Sequence, residues 1–262
     1  AVPFDLQPTL NGRLVELRPL RPDDFNALFA VAADPLIWEQ HPANNRFEEA
    51  VFREFFREAI ESGGVLIAFD AKTGQVIGSS RFHGYDPDRD EVEIGWTFLS
   101  RSHWGGVYNG EMKQLMLFHA FRFVARVIFL IGPNNLRSQR AVEKIGAVRA
   151  GSRHDAGGRE SYLFDITAAT LMSQIKIRQA ESADVADVAA ILTEAARWVE
   201  NRGIGMWLAD EIAPDAIAKE VDAGLFFLAE HCSQPAGTIK FQLTDQLFWP
   251  DLNLNLQFTT FG

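Results

Sequence analysis

Apolar positions along this chain recur at two periods, and the switch between them marks out the elements. "TLNGRLVELRPL" (residues 9–20) alternates and predicts a first strand. Pro22 follows with Asp23 and Asp24, a proline and two acids where a helix starts. Phe25, Leu28, Phe29 and Ala32 then repeat at helical spacing. A second helix is predicted from about Phe47 to Glu61, with Val51, Phe52, Phe55, Phe56 and Ala59 as its apolar face. Residues 63–84 read as strand, turn, strand, with "AKTG" as the turn and Gly74 supplying its tight backbone. In "EVEIGWTFL" the alternation puts Val92, Ile94, Trp96 and Phe98 on one face and Glu91, Glu93, Gly95 and Thr97 on the other. A helix is predicted from Asn109, with Met112, Leu115, Met116, Ala120 and Phe123 inward. "RVIFLIG" is continuously apolar, as in a strand buried on both faces. "NNLRSQRAVEKIGA" reads as a helix stopped by Gly146, and two strands around 147–153 and 161–165 close the unit.

After "LMSQ" the pattern restarts. "IKIRQAESADVADVAAILTEAARWVENRG" is again strand, acidic helix start and amphipathic helix, and "LFFLAEHCSQPAGTIKF" parallels "VLIAFDAKTGQVIGSSRF". Arg18 to Gly78 and Arg178 to Gly237 are each about sixty residues apart, so element order and spacing repeat together. The second copy lacks a counterpart of the glycine turn and of everything after it. The expected organisation is a domain over 1–168, a linker over 169–174 and a partial domain over 175–262. The tail, with Leu252, Leu254, Leu256 and Phe258 alternating, reads as a strand with one apolar side in need of cover. It is expected to pack on the first domain or on a second chain, giving a homodimer.

Composition narrows the class. An apolar share of 47% supports a substantial core, so a disordered or low-complexity chain is excluded. The formal net charge of −10 argues against nucleic-acid binding and favours cationic partners. The single cysteine, Cys232, rules out an intrachain disulfide framework. With no targeting segment read at the start and no apolar run long enough to span a membrane, the expectation is a soluble, cytoplasmic protein without membrane partners.

"LRPLRPDDF", "EIGWTFLSRSHWGG", "EMKQLMLFHAF" and "GPNNLRSQRAVEKIGAVRAG" together carry a resemblance. In this order over about 165 residues, they resemble the GNAT superfamily of acyl-CoA-dependent N-acyltransferases, most closely the branch that acetylates protein N-termini and related amines. The second unit, from "IRQAESADVADVAAIL" through "AGTIKFQLTDQLFWPDL", resembles the N-terminal half of a GNAT domain of a different branch. The resemblance implies an α/β fold with a central mixed, mostly antiparallel, twisted sheet flanked by helices. It implies acetyl-CoA as co-substrate and no metal. The cofactor would lie where two strands part, its pyrophosphate on backbone N–H groups of the turn into the following helix.

That turn runs through Trp104, Gly105, Gly106, Val107, Tyr108, Asn109 and Gly110. It departs from the family pattern at Trp104, where Arg or Gln is usual, and at Val107 and Asn109, where small residues are usual. Glu93 is the candidate general base. Glu91, on the same predicted face, would raise its pKa or join it in attracting a cationic amine. Asn135 and Ser138 match the family's Asn-x-x-Ser, as contacts to the pantetheine arm and thioester or as helix caps. Ser138 is also a candidate acid. The family's usual tyrosine acid is replaced by Val142, so Ser138, water or Tyr108 would protonate the thiolate, or it would leave unassisted. His83 and His103 belong to no motif and read as structural or exposed residues, with a place in the cleft as the alternative.

Two functions follow from the resemblance. The first is an acetyl-CoA-dependent N-acetyltransferase, with a peptide N-terminus, a polyamine or an aminoglycoside-like amine as acceptor. The second is a non-catalytic acyl-CoA sensor or scaffold with a partner-binding half-domain.

Overall fold

The computed structural model describes residues 4–155, 157–200, 203, 205, 210–231 and 234–242. The chain forms two compact units, Ala1–Met172 and Ser173–Gly262. Cys232 and the 252–258 tail lie outside the described residues.

In the first unit, the segment expected as one strand folds into a hairpin of β1 (Leu10–Asn11) and β2 (Val15–Pro19). A distant carboxylate breaks the alternation. Glu111 accepts the N–H groups of Arg13, Leu14 and Val15 at 3.0, 2.6 and 2.7 Å. A Cβ at Gly12 would sit 2.7 Å from Glu111 Oε2, so this turn requires glycine for space.

Helix α1 (Phe25–Ala32) buries Leu28 and Ala32. Helix α2 (Glu49–Ser62) buries Phe52, Phe55, Phe56 and Ala59, and ends at Gly63 in the left-handed conformation. Strands β3 (Val65–Asp70), β4 (Val76–Asp86) and β5 (Glu91–Leu99) then run antiparallel. Helix α3 (Val107–Ala120), strand β6 (Arg126–Ile131) and helix α4 (Leu136–Lys144) follow. Strands β7 (Val148–His154) and β8 (Glu160–Thr167) and the short helix α5 (Ala168–Ser173) complete the series. The sheet order is β1-β2-β3-β4-β5-β6-β8-β7. Only β5 and β6 pair in parallel. Mixed and mostly antiparallel, with helices against it, the sheet has the architecture the sequence implies.

Two apolar clusters cover the sheet. One joins Val15, Leu17, Val92 and Ile94 to Met112, Met116 and Leu117 of α3. The other joins Phe98 to Phe52, Phe55 and Phe56 of α2 and to Leu28 of α1, with Trp96 packed against it. Val92 and Ile94 therefore do not share a face with Trp96 and Phe98, contrary to the alternation. The cause is a bulge. Trp96 has φ +51°, and the β4–β5 register shifts between Ser79 and Arg81. One extra residue inverts the phase of everything after it.

The second unit comprises β9 (Ile175–Gln179), α6 (Val185–Glu200), α7 (Pro214–Asp222), β10 (Phe226–His231) and β11 (Gln234–Lys240). Its sheet order is β11-β10-β9, antiparallel throughout. Details of β2-β3-β4 recur in it. Arg18 faces Ile67 and Ala68 faces Gly78; Arg178 faces Leu228 and Ala229 faces Gly237. Arg18 is bidentate to Asp24 at 2.7 and 2.8 Å, and Arg178 to Asp184 at 2.6 and 2.8 Å. Each aspartate also accepts the backbone N–H three residues before it, from Arg21 and Glu181.

Candidate active site

The site begins where two strands part. β5 and β6 pair at Glu91–Arg126, Val92–Val127 and Glu93–Ile128, and the pairing goes no further although both strands continue. Past the last pair their ends feed the turns into α3 and α4.

The turn into α3 explains the unexpected valine. Gly105 and Gly106 carry the left-handed φ values, +109° and +121°. Val107 is already the first residue of α3, two positions earlier than the apolar spacing suggests. A helical φ suits valine, and its side chain is about half exposed, at 48%. The first bond of this helix runs from the Gly110 N–H to Gly106 O, at 2.7 Å. The N–H groups of Val107, Tyr108 and Asn109 therefore have no intrahelical acceptor, whereas that of Gly110 is used. Open space surrounds Gly105 and Gly106. Three free amides at the N-terminus of a fourteen-residue helix suit a phosphate.

Glu93 and Glu91 have opposite roles. Glu91 is buried, and Arg126 and Arg153 (2.8 Å) both donate to it. Burial would push its pKa up, but these hydrogen bonds and charges hold it below the usual value. Each of its oxygens is held by an arginine, so the expected mutual raising of the two pKa values is absent at Glu91. Glu93 is 8% exposed. Burial pushes its carboxyl up to about 7, against the pull of Arg153, Arg81 and the Leu130 N–H. Gly95 makes room for it, since a Cβ there would lie 3.0 Å from Glu93 Oε1. The result is a carboxyl that exchanges a proton near neutral pH, on the residue that makes the last β5–β6 pair.

The other candidates divide. Asn135 is the N-cap of α4, its Oδ1 accepting the Ser138 N–H at 3.1 Å. Ser138 is half-buried in the first turn of that helix. Val142 is a core residue. Tyr108 donates its hydroxyl to Asp70 at 2.9 Å, and this bond raises its pKa. It ties α3 to the β3–β4 turn and is committed away from acid catalysis. His103 packs edge-on against Tyr108 and approaches Asp70, a structural placement. His83 is exposed on β4, opposite Glu93 and edge-on to Trp96. The two turns also touch one another. Arg137 of α4 lies 4.2 Å over the Trp104 ring, whose Nε1 donates to Leu99 O at 2.9 Å.

Two buried cations escaped the sequence reading. Lys113 of α3 is 4% exposed and donates to Ser80 Oγ (3.1 Å) and Thr97 Oγ1, with burial pushing its pKa down to about 7. Its position three before Met116 and seven before Ala120 was the available signal. Arg81 of β4 is 5% exposed, lies 4.6 Å from the Trp96 ring centroid, and has Nε and Nη2 without a hydrogen-bond partner. No cluster of His, Cys, Asp and Glu suited to a metal occurs among the described residues, and no helix there is long and apolar enough to cross a membrane.

Comparison with known proteins agrees with this geometry. Residues 14–148 match the family described as acetyltransferase (GNAT) domain. No curated protein sequence matches the chain. Among solved structures, one assigned as an acetyltransferase is 27% identical, with a TM-score of 0.54, covering 66% of this chain and 91% of its own. Another so assigned, from T. thermophilus, is 28% identical, with a TM-score of 0.52 and coverage of 63% and 92%. A GCN5-related N-acetyltransferase from Brucella melitensis shares the fold at 22% identity, with a TM-score of 0.55 and coverage of 64% and 82%. With its parted strands, free helix amides and matched family domain, this chain belongs to the GNAT family and is an N-acetyltransferase.

Proposed function

We propose that the protein transfers an acetyl group from acetyl-CoA to a primary amine by direct attack on the thioester, with Glu93 as general base. The observation that carries this is the buried Glu93 carboxyl, with a pKa of about 7, beside the point where β5 and β6 cease to pair. A base of that pKa is half ionised at neutral pH and strong enough to accept a proton from an ammonium through a water or directly.

The chain's own groups suit the co-substrate. The free N–H groups of Val107, Tyr108 and Asn109 would hold its pyrophosphate, and the bare backbone of Gly105 and Gly106 leaves room for close approach. Trp104 flanks them, with Gly110 continuing the helix. Ser138 and the Asn135 cap would line the side formed by α4. Acetyl-CoA supplies an activated carbonyl and a thiolate leaving group. Glu93 takes one proton from the ammonium and frees its lone pair; as nitrogen bonds to carbon and the carbon–sulfur bond breaks, the second proton leaves nitrogen for the departing sulfur or for water. Holding both reactants between β5 and β6 supplies much of the rate. No side chain at Val142 or Tyr108 is placed to protonate sulfur, so Ser138 or water does so, or the thiolate leaves as such. We place the protein in the cytoplasm.

The test is a melting-temperature shift with acetyl-CoA followed by a free-thiol assay over an amine panel. Stabilisation by acetyl-CoA with amine-dependent thiol release that Glu93→Gln abolishes supports the reading. Thiol release unchanged in that variant removes Glu93 from the chemistry.

A further inference from the structure

Arg81 is an expensive residue to keep where it is. Its guanidinium lies on the sheet face covered by α2, between the rings of Trp96 (4.6 Å) and Phe55 (5.9 Å). Two of its three nitrogens are buried without a partner. A buried donor left unsatisfied costs stability, and a charged one costs more. A second guanidinium makes matters worse. Arg46 lies 4.2 Å from the centroid of the same Phe55 ring, and burial and the Arg81 charge push its pKa down to about 10. Its neighbour His41, 3.3 Å away, does not neutralise it, because burial and Arg46 itself push that imidazole down to about 4. Glu58 of α2 attracts both arginines, but it is exposed and its field is screened. The local charge is thus opposite in sign to the −10 of the whole chain.

The position of Arg81 says what the charge is for. Arg81 faces Gly95 across the β4–β5 ladder, and Gly95 is the residue against which the Glu93 carboxyl rests. Arg81 and Glu93 are therefore diagonal neighbours on one face of adjacent strands, whose Cα atoms lie about 7–8 Å apart in such pairs. Side chains that rise from neighbouring positions on one face can hold the two ends of one small molecule, its amine at Glu93 and an anion at Arg81.

We infer that the acetyl acceptor is an amine that also carries an anionic group, a carboxylate or a phosphate, held by the unpartnered fork of Arg81 with Arg46 beside it. A guanidinium presents parallel N–H groups to either anion. The assignment of the amine end rests on the acetyl-transfer reading; the anion site does not.

The experiment has two arms. In the first, thiol release is measured with matched acceptors: an amino acid against its amide, phosphoethanolamine against ethanolamine, and a polyamine. The expected result is a preference of about tenfold to a hundredfold in kcat/KM for an anionic member, the scale of charged hydrogen bonds, which Arg81→Gln removes and Arg81→Lys restores in part. Whether the carboxylate or the phosphate pair shows the preference names the anion. Equal use of matched acceptors, or a preference that survives in Arg81→Gln, overturns the inference. The second arm needs no catalysis. Propionate at millimolar concentration, or inorganic phosphate added with CoA present to fill the turn into α3, is expected to shift the melting temperature or tryptophan fluorescence of the wild type but not of Arg81→Gln, and a response identical in both overturns the anion site. If acetyl transfer fails with every amine while the Arg81-dependent response remains, the acetyl-transfer reading falls and the anion site stands.

Discussion

A Cβ added at Gly95 would lie 3.0 Å from Oε1 of Glu93, so the missing side chain at one position sets the place of the carboxyl at the other. The Gly95 backbone is not left-handed, and alanine is tolerated there by conformation. Gly95→Ala should therefore fold and displace the carboxyl toward water. We expect turnover to fall about tenfold or more, as misplacement of a reacting group does. Acetyl-CoA affinity, read by titration, should change little. An unaltered kcat would show that Glu93 does not need this position.

The pH dependence of Glu93 carries two signs. For catalysis the ionised form is the base, so kcat/KM should rise with pH and level off above about 7, a limb absent in Glu93→Gln. For stability, the folded state keeps the proton up to about 7, whereas the unfolded chain loses it near 4.5. Between these values the folded state binds more protons, so stability falls as pH rises through the window and is flat above it. Glu93→Gln removes that loss. At pH 8 it should be more stable than the wild type by up to about 3 kcal/mol, with no advantage near pH 4. Parallel denaturant titrations at the two pH values decide it.

The glycine turn makes a paired prediction. Gly106 has φ +121°, which an L side chain rarely adopts, while Val107 is the first helical residue. Gly106→Ala should strain the turn by roughly 1–2 kcal/mol and misplace the free amides, weakening acetyl-CoA binding. Val107→Gly, which restores the usual family residue, should leave the affinity within about twofold, since a helical φ does not call for glycine. Calorimetric titration compares them; a large gain in Val107→Gly would mean that its side chain obstructs the ligand.

Lys113 also has a stability signature. It is buried on α3 and its pKa is pushed down to about 7 by burial. Below about pH 7 it is charged in both states, and the folded protein bears the full cost of a buried cation. Between 7 and 10.5 the unfolded chain binds the extra proton, so stability rises with pH. Lys113→Met leaves Ser80 and Thr97 bonded to each other at 2.7 Å. It should raise the melting temperature at pH 6, by a gain that shrinks toward pH 10. A lower melting temperature at every pH would show that the ammonium's hydrogen bonds outweigh its desolvation.

What was legible in the sequence was local. Helix faces such as Phe52, Phe55 and Phe56 follow from spacing alone, and the shape of the turn into α3 follows from its glycines. What was not legible depends on a partner far along the chain. The 9–20 segment alternates well enough for one strand, but Glu111, nearly a hundred residues away, captures three of its amides and turns it. The bulge at Trp96 places a bulky residue at positive φ, which propensity does not anticipate, and it moves Thr97 to the α3 side, where Lys113 meets it. Glu91 and Glu93 look alike in sequence; only Arg126 and Arg153 separate their roles. Total charge gave no hint of Arg46 and Arg81, because a net sum says nothing of where charges gather.

The second unit supplies the last prediction, because its resemblance to the first extends to single hydrogen bonds. Arg178 is bidentate to Asp184, which also accepts the Glu181 N–H, just as Arg18 is bidentate to Asp24, which also accepts the Arg21 N–H. The pair joins strand β9 to the start of α6, six residues on, so it fixes the angle at which the helix leaves the strand. Hydrogen bonding from Arg178 holds the Asp184 carboxyl at about 2, below the 3.8 of a free aspartate. A lowered acid pKa stabilises the fold above the unfolded value, and that stabilisation is lost as pH falls through the folded value. The second unit should therefore lose stability between about pH 4 and 2. Arg178→Met should weaken it at neutral pH and flatten this acid limb. Because Arg178 is partly exposed, added salt should reproduce part of the loss. Hydrogen exchange followed separately in β9–β10 and in β2–β3 reads each unit by itself. Faster exchange confined to β9–β10 in Arg178→Met, and to β2–β3 in Arg18→Met, is expected. No change in either variant would mean that the repeated ion pair is a relic of shared geometry with no part in holding these strands.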